Sequence, residues 1–253
     1  MPSQSVGELL KSKGTQLMQA PRGHVRFTGH DGADTLLNDL DGHPHAFILA
    51  SIMDRQIKTE KVWEIPFLLK SRLGSFGINR LARLSLAEIR RLMTRPSPLH
   101  RYPQEMSLNF YEAIQLLVRQ YAGDAAAIWS DRPSSADVVY RLLQFRGVGP
   151  KIATMATNIL ARDFKVVLSD YFSVDVSVDI HVKRVFARLG LISAHASNEQ
   201  VIYRARALSP EFPGLLDLPA WEIGRKWCRP KRPNCRACYM AEFCPSATIF
   251  SHS

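Results

Sequence analysis

The chain has 253 residues, 46% of them hydrophobic and 22% charged, with a formal net charge of +10 and a pI near 9.7. That balance belongs to a globular protein long enough to bury a core, and it excludes a disordered or low-complexity chain. No apolar run approaches the ~18 residues of a membrane span, and the N-terminus has neither a signal-peptide core nor an Arg-rich transit pattern. A cytoplasmic location with no membrane partner is therefore expected. The basic surplus favours a polyanionic partner, because each phosphate contact releases counterions.

In chain order, the predicted elements are almost all helices. The first 45 residues carry two His-containing turns, at 24–32 and 43–45, and predict irregular structure. Residues 46–69 have apolar residues at helical spacing and no glycine, with Ile52-Met53-Asp54-Arg55-Gln56 ending or interrupting that stretch. Residues 86–93, 108–121 and 136–145 read the same way, separated by Pro-rich punctuation at 95–98 and 131–133. Residues 151–162 place Ile152, Met155, Ala156, Ile159 and Leu160 on one stripe. Residues 164–178 break the pattern: valine and aromatics predict a short strand or an extended loop. Val182, Val185, Phe186 and Leu189 form a last stripe, ended by Gly190.

Three features carry chemistry. The first is Cys228, Cys235, Cys238 and Cys244, with gaps of six, two and five residues and no other cysteine in the chain. With no partner elsewhere, they point to a reducing compartment rather than a disulfide framework. Four thiolates from one compact loop suit either a zinc ion or a 4Fe-4S cluster, and spacing alone leaves the two even. Arg225, Lys226, Arg229, Lys231, Arg232 and Arg236 surround that loop, as a phosphate-binding surface or a solvated rim.

The second feature is Phe145-Arg146-Gly147-Val148-Gly149-Pro150-Lys151, which joins two predicted helices. The glycines permit a tight turn and close approach of a phosphate. The free amides of the following helix form an anion site, and Pro150 suits its first position. Lys151 falls in the first turn, where the positive end of the helix dipole disfavours the ammonium. It is thus either a nucleophile or a phosphate binder. The third feature is Val178-Asp179-Ile180-His181-Val182-Lys183-Arg184, with Asp179 where a helix N-cap belongs.

Together these motifs resemble the endonuclease III and adenine-mismatch glycosylase families of the helix-hairpin-helix DNA glycosylase superfamily. The resemblance runs from about Ala46 to Cys244. It implies an all-α, two-lobed fold. One lobe, 45–162, is a helical barrel ending in the hairpin; the other, 1–44 plus 163–253, holds the catalytic aspartate and the cluster loop, 228–244. It implies a structural 4Fe-4S cluster on the four cysteines and a lesion- or mismatch-bearing double-stranded DNA partner, bound by a monomer. Lys151 stands at the catalytic lysine's position and Asp179 at that of the carboxylate, which stabilises an oxocarbenium-like sugar. Gly147, Val148 and Gly149 grip backbone, Gln56 stands as the wedge that fills the hole left by a flipped base, and His181 and Arg184 position the helix or contact phosphate, as do Arg229, Lys231 and Arg232.

The expected activity is base excision by a bifunctional glycosylase with AP-lyase chemistry. Its rivals are a monofunctional glycosylase that uses Asp179-activated water and a non-catalytic DNA-structure binder with a zinc-filled loop. Two departures from the family stand out. Met53, Asp54 and Arg55 replace its small polar pocket residues. Lys151 and Asp179 are 28 positions apart, more than in the family, with the excess at 164–178. Asp170 and Asp175 also follow Lys151, but neither precedes a His-x-x-Arg helix.

Overall fold

The computed structural model describes residues 2–251 and, of these, the side chains of 6–249. The described residues form helices joined by turns, with no strand. In chain order the helices are α1 (Pro2–Gln19), α2 (Asp31–Asn38), α3 (Pro44–Ile52), α4 (Thr59–Trp63), α5 (Ile65–Leu73), α6 (Ile78–Leu81), α7 (Leu86–Thr94), α8 (Pro103–Tyr121), α9 (Ser135–Leu143), α10 (Pro150–Arg162), α11 (Ile180–Arg188), α12 (Asn198–Leu208), α13 (Asp217–Lys226) and α14 (Ala247–Ser251). No helix among the described residues is long and apolar enough to cross a membrane.

Local chemistry sets many of these boundaries. Ser85 and Glu88 close a capping box at the head of α7, and Ser197 and Gln200 do the same for α12. Pro44 and Pro103 open α3 and α8, where a missing N–H costs nothing. Gly74 ends α5 with φ +81.

The chain divides into two units. Unit 1 comprises 1–21, 134–139 and 157–253; unit 2 comprises 22–133 and 140–156. Residues 22–44, grouped with the C-terminal half in the sequence reading, fall in unit 2. The core of unit 1 gathers Val6 and Leu10 of α1, Val182, Val185 and Phe186 of α11, Val201 of α12 and Ile223 of α13. The α11 stripe read from periodicity is thus buried as a set. In unit 2, Phe47, Trp63, Phe76 and Phe110 are each fully buried, and Phe27 stacks on Trp63 with ring centroids 4.6 Å apart.

One expectation is corrected, and two are made definite. The first 45 residues are not mainly irregular: they hold α1 and α2. The loop before α2 and the turn at 39–43 are irregular, and the buried Asp34 carboxylate organises the first by accepting the amides of Phe27, Thr28 and Gly29. Residues 46–69 form three helices, and the interruption expected at 52–56 falls at residues 53–58. Of the two alternatives for residues 164–178, the extended loop is the one formed: they run as a strap hydrogen-bonded to side chains and turns of unit 1.

Candidate functional site

In unit 2, the loop after α3 meets the start of α8 and the α9–α10 hairpin. The Arg55 guanidinium donates to the Gly147 carbonyl and pairs with Glu105 at 3.3 Å. Gln56 is exposed, holds φ +53, and accepts a 2.8 Å hydrogen bond from the Tyr102 hydroxyl through Oε1. Left-handed backbone at a non-glycine residue is strained, and here two tethers hold it. Behind Tyr102, buried His100 accepts the Tyr102 amide at 3.0 Å, and burial holds its imidazole below the ordinary histidine value. Residues 100–111 stand out in the sequence as an unfamiliar segment before a helix that could border the pocket, but the local pattern does not single out Tyr102 or Glu105, whose role rests on partners 46 and 50 positions away.

The hairpin turn is built on glycine for two reasons. Gly147 has φ +82, and a Cβ there would lie 2.5 Å from Nδ2 of Asn109 and 2.9 Å from Nη2 of Arg55. Phe145 is buried and its carbonyl accepts the Val148 amide at 3.0 Å; the Gly149 carbonyl starts α10 by accepting Ile152 and Ala153. The amides of Gly147, Gly149 and Lys151 have no acceptor among the described residues. Lys151 itself, in the first turn of α10, is exposed. Free amides beside an ammonium are an anion-binding arrangement.

In unit 1, Asp179 caps α11. Its Oδ1 accepts the amides of both His181 (2.7 Å) and Val182 (2.8 Å), while Oδ2 makes no hydrogen bond with the described residues. The cap and a free carboxylate oxygen therefore coexist. Arg184 is turned inward: it donates to the carbonyls of Cys228 (2.8 Å), Gly224 (2.9 Å) and Ile180 (3.1 Å) and meets His181 Nδ1 at 3.0 Å. One turn further, Arg188 donates to the carbonyls of Arg229 and Pro230 and reaches Cys228 Sγ at 3.4 Å. Arg188 escaped the sequence reading; its place four residues after Arg184, on the same helix face, was the available signal.

Cys228, Cys235, Cys238 and Cys244 are free thiols that line one cavity with Val185, Leu189, Ile223, Trp227 and Met240. Burial pushes the Cys238 and Cys244 thiols up, and the neighbouring cysteines push them further. The raised Cys238 and Cys244 thiols ionise around a positive centre. An all-sulfur lining without imidazole or carboxylate is the donor set of a zinc or iron–sulfur centre. Among the described residues, no group of three or more His, Cys, Asp or Glu side chains is disposed to hold a single metal ion. Arg225, Arg229, Lys231, Arg232 and Arg236 are exposed around this loop, and Arg225 lies over the Trp221 ring, 4.8 Å from its centroid.

No family model matches the chain. Curated relatives do. Endonuclease III homolog 1, chloroplastic, of Arabidopsis thaliana is 30% identical over 131 residues, 46% of this chain and 30% of that protein. Endonuclease III of Thermotoga maritima is 27% identical over 133 residues, 53% of each. Endonuclease III of Synechocystis is 26% identical over 212 residues, 81% of this chain and 82% of that protein. The chain spans less than a third of the Arabidopsis relatives it matches. Among solved structures, a non-covalent endonuclease III–DNA complex superposes with a TM-score of 0.65 at 17% identity, covering 99% of both chains. A thermostable thymine-DNA glycosylase superposes with a TM-score of 0.65 at 15% identity, covering 97% of this chain and 98% of that one.

Proposed function

From its similarity to the endonuclease III proteins and its share of their fold, we propose that this chain is a member of the endonuclease III-like helix-hairpin-helix superfamily and a base-excision DNA glycosylase with AP-lyase activity, acting on a damaged or mismatched base in duplex DNA. The observation that carries this reading is the disposition of Asp179. One oxygen saturates the head of α11 and the other is left for chemistry. As the glycosidic C1′–N bond breaks, the base leaves with the electron pair, and the Asp179 carboxylate stabilises the positive charge developing on the sugar. The Lys151 amine, once deprotonated, bonds to C1′; the C1′–O4′ bond then breaks, O4′ takes up the amine's proton, and the Schiff base that results loses a 2′ proton to eliminate the 3′ phosphate.

The remaining residues hold the DNA. The amides of Gly147, Gly149 and Lys151 take backbone phosphate, with Val148 at the tip of the turn. Gln56 fills the gap left by the extruded nucleotide. Arg229, Lys231 and Arg232 add phosphate contacts, while His181 and Arg184 position α11 against the basic loop. Cys228, Cys235, Cys238 and Cys244 would hold a 4Fe-4S cluster, which supplies a covalent brace for that loop and no chemistry at the sugar. Such a preparation is brown, absorbing near ~400 nm as iron–sulfur thiolate centres do; a colourless protein carrying zinc overturns the cluster assignment.

The test is borohydride trapping on a panel of duplexes bearing uracil, an oxidised pyrimidine, 8-oxoguanine or a mismatched base. The native chain forms a covalent adduct on at least one of them, and Lys151→Ala forms none. The exposure of Lys151 favours a second reading, in which this lysine binds phosphate and Asp179 activates water. Base release without trapping establishes that reading in place of the first, and failure to release any base overturns both.

A further inference from the structure

The strap leading into Asp179 is fastened residue by residue. The Val174 carbonyl accepts the Gly214 amide at 2.7 Å. The Asp175 carbonyl accepts Nδ2 of Asn158 at 2.9 Å, and its carboxylate takes both arms of Arg206 at 2.8 Å. The last fastening before Asp179 is Ser177, whose amide donates to Oδ1 of Asp217 at 2.6 Å and whose hydroxyl bonds to the same carboxylate. Asp217 opens α13, and its residue is only 8% exposed.

A buried carboxylate is a poor choice for simply holding a turn. Desolvation penalises its charge, and no cation among the described residues sits on it at ion-pair distance. The charged groups that bear on it are Arg162 of α10 and Asp179 at the head of α11. The turn Pro213–Leu216 has no titratable side chain, and the buried face of α1 is Val6, Gly7, Leu10 and Gly14, without charge.

We propose that Asp217 is a positioning residue for Asp179: its ionised carboxylate clamps Ser177, two residues upstream, and so fixes where the free oxygen of Asp179 stands. This rests on the reading of Asp179 as the catalytic carboxylate. Burial pushes the Asp217 carboxyl up to about 6, opposed by Ser177 and Arg162 and assisted by Asp179. Protonation removes the charge-assisted clamp. Base release therefore slows as pH falls through about 6, and Asp217→Asn, neutral throughout, behaves at every pH as the protonated native chain does.

The experiment measures single-turnover base release from roughly pH 5 to pH 8 on the panel duplex that the native chain processes fastest. In parallel it records thermal melting and DNA affinity. The native profile has an inflection near 6. Asp217→Asn lacks that inflection and releases base about tenfold more slowly at the alkaline end, with DNA affinity unchanged and melting temperature not lowered. Ser177→Ala removes one hydrogen bond to the carboxylate, keeps the amide donor, and moves the inflection upward. A surviving inflection in Asp217→Asn, a native rate in that variant, or an unmoved inflection in Ser177→Ala overturns the proposal. Asp179→Asn separates the two claims. If it releases base at the native rate, the reading of Asp179 itself has failed; if it is inactive while Asp217→Asn is native-like, only the Asp217 proposal falls.

Discussion

The guanidinium of Arg184 donates to the main-chain carbonyl of Cys228 across 2.8 Å. A helix headed by Asp179 is thereby tied to the first cysteine of the thiol loop, and the same side chain also holds the carbonyls of Gly224 and Ile180. Arg184→Ala leaves these acceptors without a donor and is expected to cost about 3 kcal/mol. Arg184→Lys recovers little, because an ammonium cannot reproduce the planar fork. Chemical denaturation measures the first effect; on the proposed cluster assignment, iron content per chain falls in step and measures the consequence for the loop.

Gly147→Ala places a Cβ against Asn109 and Arg55 at a residue with φ +82. The strained backbone and the displaced Arg55 together are expected to destabilise the fold by about 1–3 kcal/mol. Binding to undamaged duplex should weaken as well, since the free amides of the hairpin turn move with Gly147. Equilibrium unfolding and fluorescence anisotropy are the readouts.

The exposed basic residues Arg229, Lys231 and Arg232 predict a salt-dependent affinity. Each Ala substitution should lower the slope of log affinity against log salt by roughly one, uniformly across DNA sequences. A slope that does not change on substitution removes that residue from the phosphate-binding surface.

Asp217 makes a signed prediction about stability. Its folded value of about 6 lies above the ordinary carboxylate value of 3.8. The fold therefore prefers the protonated acid: that contribution is complete below 3.8 and is lost as pH rises through about 6. Asp217→Asn escapes the loss, so near pH 8 it should be more stable than the native chain by up to about 3 kcal/mol, with the gap closing in acid. Melting curves across this range test the sign. A variant that melts lower at alkaline pH and equally in acid contradicts it.

Much of the fold and the chemistry-bearing segments was legible before any coordinates. The α11 stripe, the cap position of Asp179, the Gly-x-Gly turn before Pro150 and the spacing of four cysteines are local patterns. They reflect helical periodicity, backbone sterics and thiolate chemistry, which neighbouring residues alone express. The extended strap at 164–178 and the break near Gln56 were also visible as disruptions of period.

What the chain order could not express was decided by contacts between distant residues. Arg55 and Gly147 lie 92 positions apart, Gln56 and Tyr102 46, and Ser177 and Asp217 40. A hydrogen bond of this kind depends on where two backbones are brought by packing, and it leaves no periodic trace in either segment. By itself the sequence determined the helices, the turn glycine, the thiol set and the two residues proposed for chemistry. Only tertiary structure decided that Arg55 and Gln56 are held by Gly147 and Tyr102, that Arg184 turns its donors inside the fold, and that a buried carboxylate grips the strap before Asp179. Burial, which makes that carboxylate costly and its hydrogen bonds strong, exists only once the chain has folded.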